Sequence, residues 1–359
     1  LIFIIIRTFI IGLVGGWIFH LFHLPLAWML GSMTAVYFTS KWTNLQFVWP
    51  SFFRNFGLIV IGYAIGHSFS KETIIEIGSQ LPSMLAMTLS VILFSVFLAF
   101  ILSKLTGINI QSTLIGSIPG GLSQMIVLGE EVKGVDLTVV TIIQVIRLIS
   151  VIIVVPFLIF SPLLYGSAAG TVAGGGGSLA FDFHLMMVVF LIVAWLSAVV
   201  AERLHFPTPF LLGPILGVGT FMVFDFSVPI LPDVLLLISQ LFLGIHFSFM
   251  LKFKGQNAKS LSKFIGLAIV TSIMLLVFSL GLGAVLMLWH DIPFLTAFVS
   301  MAPGGMAEMA LVGQAIKADL SIITAYHLFR ILFILFIVPL CLRWLFKLPY
   351  FTKKLQNSM

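Results

Sequence analysis

Residues 117–134 read SIPGGLSQMIVLGEEVKG, and a close copy, SMAPGGMAEMALVGQAIK, returns at 300–317. Each copy sets Pro-Gly-Gly into an apolar run and follows it with a polar side chain, Gln124 in the first and Glu308 in the second. Proline has no N–H to donate and its ring clashes with the preceding helical turn, while paired glycines allow close approach and unusual dihedrals. Helix is therefore predicted to stop at both places.

The surroundings follow from composition. Sixty per cent of the 359 residues are hydrophobic and 8% are charged, against roughly a quarter charged in a soluble domain. Charged residues are confined to short intervals, such as Lys41 to Arg54, Lys71 to Glu76, Glu130 to Asp136 and Lys252 to Lys263. Most apolar runs between them reach the roughly 20 residues a helix needs to cross a bilayer core. The first run contains Arg7 and has no small-residue cleavage pattern after it, so it reads as a retained span rather than a signal peptide. Cys341, the one cysteine, leaves no disulfide framework and no cysteine-based metal site. The net charge of +6 is scattered through short loops, which points to membrane topology and not to nucleic acid.

The two Pro-Gly-Gly copies anchor a longer repeat. Residues 119–156 and 303–339 align with one deletion: Met125 meets Met309, Gly129 meets Gly313, Asp136 meets Asp319, Arg147 meets Arg330 and Pro156 meets Pro339. The fronts of the halves agree more weakly, HLPLAWMLGSM at 23–33 with HFPTPFLLGPI at 205–215, and GHSFS ending at Ser70 with GIHFS ending at Ser248. A Gly-rich connector, GSAAGTVAGGGGSLAF, separates two membrane repeats, 1–174 and 175–359.

Two topologies are open. If each broken segment crosses the membrane, the halves have six spans each and run parallel, which puts the basic 252–263 loop opposite the basic C-terminus. If each segment enters and leaves on one face, five spans remain per half and both basic regions fall on the cytoplasmic side. The expected fold is therefore an all-α polytopic membrane protein of two inverted repeats. Each has about five transmembrane helices plus a re-entrant or broken Pro-Gly-Gly helix, with the two breaks meeting near the midplane.

Freed backbone amides in hydrocarbon cost several kcal/mol each, so the breaks must be buried in protein or line a watery cavity. A helix restarting after Pro-Gly-Gly offers unpaired N–H groups and a positive dipole end to an anion or carboxylate. The bland alternative is a kink that only lets helices pack. Two symmetric copies with polar followers favour a substrate or ion site instead, comprising Pro119, Gly120, Gly121, Ser123 and Gln124, and Pro303, Gly304, Gly305 and Glu308.

Glu308 is expected to be either one half of a static ion pair or a proton carrier. Its candidate partners are Arg147 and Arg330, each eleven residues beyond an aspartate, Asp136 or Asp319, that reads as a helix N-cap. Each arginine is then roughly 16 Å along its helix, too deep to snorkel easily. It either clamps the broken segment's carbonyls or touches an anion. Gln144 and His327 precede the arginines by three residues and share their face, and His327 is a candidate proton relay, with Arg330 setting the acidity of Glu308. His20, His23 and His205 read as interfacial packing. No HExxH, nucleophile elbow, phosphate loop or dinucleotide fingerprint occurs, so no enzyme, metal or cofactor is expected.

The paired PGGLSQM…GEEVKGVDLTVVTIIQVIRL and PGGMAEMALVGQAIKADLSIITAYHLFRILFILFIVP resemble the AbrB-type integral membrane family, once labelled ammonia monooxygenases, over nearly the whole chain. The resemblance implies a multi-pass protein of the bacterial cytoplasmic (inner) membrane linked to regulation of gene expression. It also implies distant kinship with cation-proton antiporter and bile-acid symporter folds. Three functions compete: a secondary transporter of a small, anionic organic substrate, a membrane sensor or regulator, and a metal-dependent oxidase. The first is expected from the duplication and Glu308. The second would favour a partner-binding soluble appendage, and the third needs clustered ligands where the eight histidines are dispersed. The expected partners are the bilayer and a small molecule or ion, with a homodimer left open.

Overall fold

The computed structural model describes residues 2–24, 26–43, 45–120, 125, 128–130, 132, 134–161, 185–206, 208–250 and 258–346. Gly121, Ser123, Gln124 and the repeat boundary near 175 lie outside them. The described residues form α-helices and their connections, with no β-strand among them. Among the described residues seven helices are long and apolar enough to cross a membrane, so the chain is a polytopic α-helical membrane protein.

The first half contributes α1 (Ile2–Leu21), α2 (Ala27–Trp42), α3 (Ser51–His67), α4 (Lys71–Ser79), α5 (Leu81–Thr106), α6 (Ile110–Ser117) and α7 (Leu137–Ile159). The second contributes α8 (Leu185–Arg203), α9 (Pro209–Val223), α10 (Asp233–Met250), α11 (Ala258–His290), α12 (Phe294–Met301), α13 (Met306–Ala315) and α14 (Leu320–Phe346). Of these, α4 falls in a charged interval of the sequence. It buries none of its side chains, and its first residue, Lys71, pairs with Asp225 at 2.6 Å.

Two compact units draw on both halves. Unit one comprises Leu1–Ser79, Ile153–Lys252 and Ala307–Thr324, and unit two comprises Gln80–Ile152, Phe253–Met306 and Ala325–Met359.

In unit one the helices touch in the order α1, α2, α10, α3, α9, α8, and α1 also meets α10 as α8 meets α3. Exchanging the halves, with α1 for α8, α2 for α9 and α3 for α10, leaves that order unchanged. Small residues permit the closest approaches, as expected where lipid gives no hydrophobic drive for helices to associate. A methyl on Gly15 of α1 would land on the Gly31 carbonyl of α2, and one on Gly213 of α9 would lie 2.5 Å from the Ser197 carbonyl of α8. Gly62 seats against Leu211 and Pro214 as Gly244 seats against Met29 and Ser32. These contacts equate Gly62 with Gly244, one helical turn away from the register suggested by GHSFS and GIHFS.

In unit two α5 packs on α6, α11 on α12, and α5 on α11. Phe94 of α5 stacks on Phe278 of α11, ring centroids 4.1 Å apart. The outer face of α5 carries Leu81, Leu85, Leu89, Leu93, Phe97 and Phe100, all exposed, while Met84, Met87, Val91 and Leu98 are buried. A helix apolar on both faces suits one side to protein and the other to lipid.

Candidate functional site

The first broken segment begins and ends at the same place. Asn109 caps α6, its Oδ1 accepting from the Gln111 amide at 3.1 Å, while its Nδ2 donates to the Gly134 carbonyl at 2.9 Å. Ser112 Oγ accepts from the Asp136 amide at 2.8 Å. The two ends of the stretch that carries Pro119 and Gly120 therefore lie together. Helix α6 stops at Ser117, where Ile118 turns extended, φ −64° and ψ 128°. In the second copy α12 stops at Met301, Ala302 turns extended at φ −53° and ψ 135°, and helix resumes at Met306.

Both following helices are capped by the expected aspartates. Asp136 Oδ1 accepts from the Thr138 amide at 2.8 Å, and Asp319 Oδ1 from the Ser321 amide at 2.9 Å. Three turns on, each arginine reaches its own broken segment. Arg147 Nη1 donates to the carbonyls of Ser117 (3.4 Å) and Ile118 (3.1 Å), and Nη2 donates to Gly120 (3.4 Å). Arg330 Nη1 donates to Met301 (3.3 Å) and Ala302 (3.0 Å), and Nη2 donates to Gly304 (3.2 Å). The acceptors correspond position by position in the Pro-Gly-Gly alignment. They are carbonyls freed where helix is interrupted, and hydrogen bonds to a charged donor are worth about 1.5–3 kcal/mol each.

A neutral side chain steadies each guanidinium. Gln144 Oε1 accepts from Arg147 Nη2 at 2.6 Å while its Nε2 donates to Ile115 and Ile118 carbonyls at 3.3 and 3.0 Å. His327 Nδ1 accepts from Arg330 Nη2 at 2.7 Å, and its Nε2 lies 3.0 Å from the Val299 carbonyl, which can only accept. Nε2 therefore carries the ring proton and His327 is neutral, with both nitrogens engaged. That occupancy leaves it no free nitrogen for the relay role expected from its position.

All four side chains are buried. Arg147 lies within electrostatic reach of Arg330, and these two are the only buried charged side chains among the described residues of unit two. Each guanidinium retains one buried N–H, on Nε, without a hydrogen-bond partner among the described residues.

Glu308 is in the first turn of α13, 6% exposed, and belongs to unit one. Arg54 of α3, in the same unit, is a cation within electrostatic reach of the Glu308 carboxylate. Arg54 also acts on His246 of α10. The expectation that Arg330 would balance Glu308 is thus corrected: the Nη donors of Arg330 are committed to Met301, Ala302, Gly304 and His327, and Arg54 supplies the charge. Arg54 sits in the first turn of α3, at the end of a charged interval of the sequence, and no spacing ties it to Glu308.

Pro119 and Pro303 are buried, and Gly120, Gly304 and Gly305 partly so. Gly120 and Gly304 serve through their carbonyls.

Comparison with known proteins agrees over nearly the whole chain. A Bacillus subtilis (strain 168) protein named "Uncharacterized protein YhjN" is 24% identical over 350 residues, 92% of this chain and 90% of its own length. An Escherichia coli (strain K12) protein named "Putative regulator AbrB" is 23% identical over 340 residues, 90% of this chain and 91% of its own. The family described as "Transition state regulatory protein AbrB" matches residues 28–346. With a match of that extent, the chain belongs to the AbrB family.

Proposed function

We propose that this protein is a secondary transporter of a small organic anion, driven by protons, and that its halves are inverted duplicates. The observation that carries the reading is the charge inside unit two: two buried guanidiniums, each holding interrupted backbone, and no buried carboxylate among the described residues of that unit. Irregular backbone at membrane depth is tolerated where it is buried in protein or lines a substrate cavity, and broken helices in repeated halves mark transporter binding sites. The unpartnered Nε of each arginine is a donor that costs about 1–3 kcal/mol if left unsatisfied, which an anion's oxygen would offset. Proton coupling is assigned to Glu308, a buried carboxylate beside Arg54 in unit one, because buried acidic groups in membrane segments lie on ion and proton pathways.

Glu308→Gln keeps the hydrogen-bonding shape without the charge. In proteoliposomes loaded with candidate carboxylates, the variant is expected to lose uptake driven by a pH gradient while keeping exchange of substrate across the membrane. Full gradient-driven uptake by the variant would make Glu308 a structural residue only.

The printed names of the family and of the Escherichia coli relative favour a second reading, a regulator of gene expression. A transporter that alters the cellular level of its substrate would change transcription only while it transports. A regulator acting by contact would do so equally in a transport-dead Arg330 variant that still folds.

A further inference from the structure

Beside the second broken segment lies a small cavity in unit two. Met87, Thr88, Val91, Ser300, Met301, Tyr326 and Arg330 line it, and its volume of about 10 Å³ is room for about one water molecule. Arg330, 4% exposed, is one of the residues lining it, and its buried Nε–H has no hydrogen-bond partner among the described residues. Ser300 Oγ donates to the Thr296 carbonyl at 2.8 Å, so its lone pairs are free to accept.

From this cavity a line of hydrogen bonds runs outward. Tyr326 Oη lies 3.0 Å from Ser83 Oγ, and Ser83 Oγ lies 2.7 Å from His290 Nε2 at the last residue of α11. Ser83 spends its own proton on the Gln80 carbonyl at 2.7 Å, so in this state it accepts from both Tyr326 and His290. Every link is a hydroxyl or imidazole able both to give and to take a proton, and His290 itself is only partly buried where the others are closed in.

Two of the cavity's polar residues, Ser300 and Tyr326, have no polar counterpart at the aligned positions of the first copy. Gly116 stands for Ser300 and Ile143 for Tyr326, and a methyl on Gly116 would meet the Ile143 side chain at 2.8 Å. In the first copy Ile143 packs over Gly116, where the second has Tyr326 and Ser300 beside the cavity.

We infer that this cavity holds a bound water and that His290, Ser83 and Tyr326 form the path by which water and protons reach the second broken helix. The path rests on the transport reading only for what the proton drives; the hydration site stands without it.

Radiolytic hydroxyl labelling tests the two parts separately, because radicals born from a bound water modify side chains that bulk solvent cannot reach. On purified full-length protein without substrate, Met87, Met301 and Tyr326 are expected to be oxidised although buried, while Met84, equally buried on the same helix as Met87, stays at background. Labelling of the three no greater than that of Met84 would overturn the water site. After rapid mixing with ¹⁸O-water, incorporation of the heavy isotope at Met87 and Met301 is expected to slow in Ser83→Ala and in Tyr326→Phe. Unchanged exchange in both would overturn the path. In proteoliposomes Tyr326→Phe is expected to lose pH-driven uptake and keep substrate exchange; retained pH-driven uptake would remove the path from proton delivery while leaving the labelling result as it stands.

Discussion

Arg147 closes on Ser117, Ile118 and Gly120 as Arg330 closes on Met301, Ala302 and Gly304. Beside the first clamp, however, Ile143 packs against Gly116, while beside the second Tyr326 and Ser300 border a cavity. The neutral partner differs too, an amide in one copy and an imidazole in the other. The lesson is a division of labour. What holds a broken helix together is duplicated, since freed carbonyls need donors wherever the break falls. What differs between the two places is the lining around the clamp.

Sidedness gives the largest contrast between the copies. In the inverted arrangement Gly134, where the first hairpin leaves, faces the cytoplasm and Ala318, where the second segment leaves, faces the exterior. In a Cys341→Ser background, which removes the exposed native thiol, single cysteines at the two positions are expected to react with an impermeant reagent from opposite sides. Labelling of both from one side would break the comparison at its root.

Stability comes next. Arg147→Ala takes a charged donor from Ser117, Ile118 and Gly120, of which Ile118 still accepts from Gln144, and Arg330→Ala takes one from Met301, Ala302 and Gly304; at about 1–3 kcal/mol per unsatisfied group each is expected to lower stability by roughly 2 kcal/mol or more. Thermal unfolding in detergent should show losses of similar size. A tolerated Arg147→Ala beside a crippling Arg330→Ala would mean that the clamps only look alike.

The smallest effect is expected from His327→Gln. Glutamine already fills this role at Gln144, accepting from the arginine and donating to the carbonyls, so the change should cost under about 1 kcal/mol. A loss as large as that of Arg330→Ala, by the same melting measurement, would show that the imidazole does something the amide cannot.

The clamps were legible because their physics is local. An aspartate cap and an arginine eleven residues later fix both the start of a helix and the depth of a charge on it, and Pro-Gly-Gly fixes where the opposing helix must open. The front of each half was less so. Gly62 and Gly244 are equivalent by contact, but glycine and serine recur so often in these helices that an ungapped match slides by a turn at no cost. Arg54 was hidden by its separation from Glu308, and the relation of Ser83, His290 and Tyr326 by theirs, since three polar residues on three helices carry no shared spacing. Pairing between distant helices is set by packing, which a linear pattern does not encode.

In the proposed function the buried positive charge around Arg147 and Arg330 is there for an anion. Purified protein in detergent, screened by thermal shift against a panel of carboxylates, other organic anions and organic and metal cations, tests it most directly, since a ligand at about 100 times its Kd stabilises by about 2.7 kcal/mol. The account predicts stabilisation by one or more small organic anions, with the shift lost in Arg330→Lys, whose ammonium has no Nε to offer. Stabilisation by cations alone would contradict it.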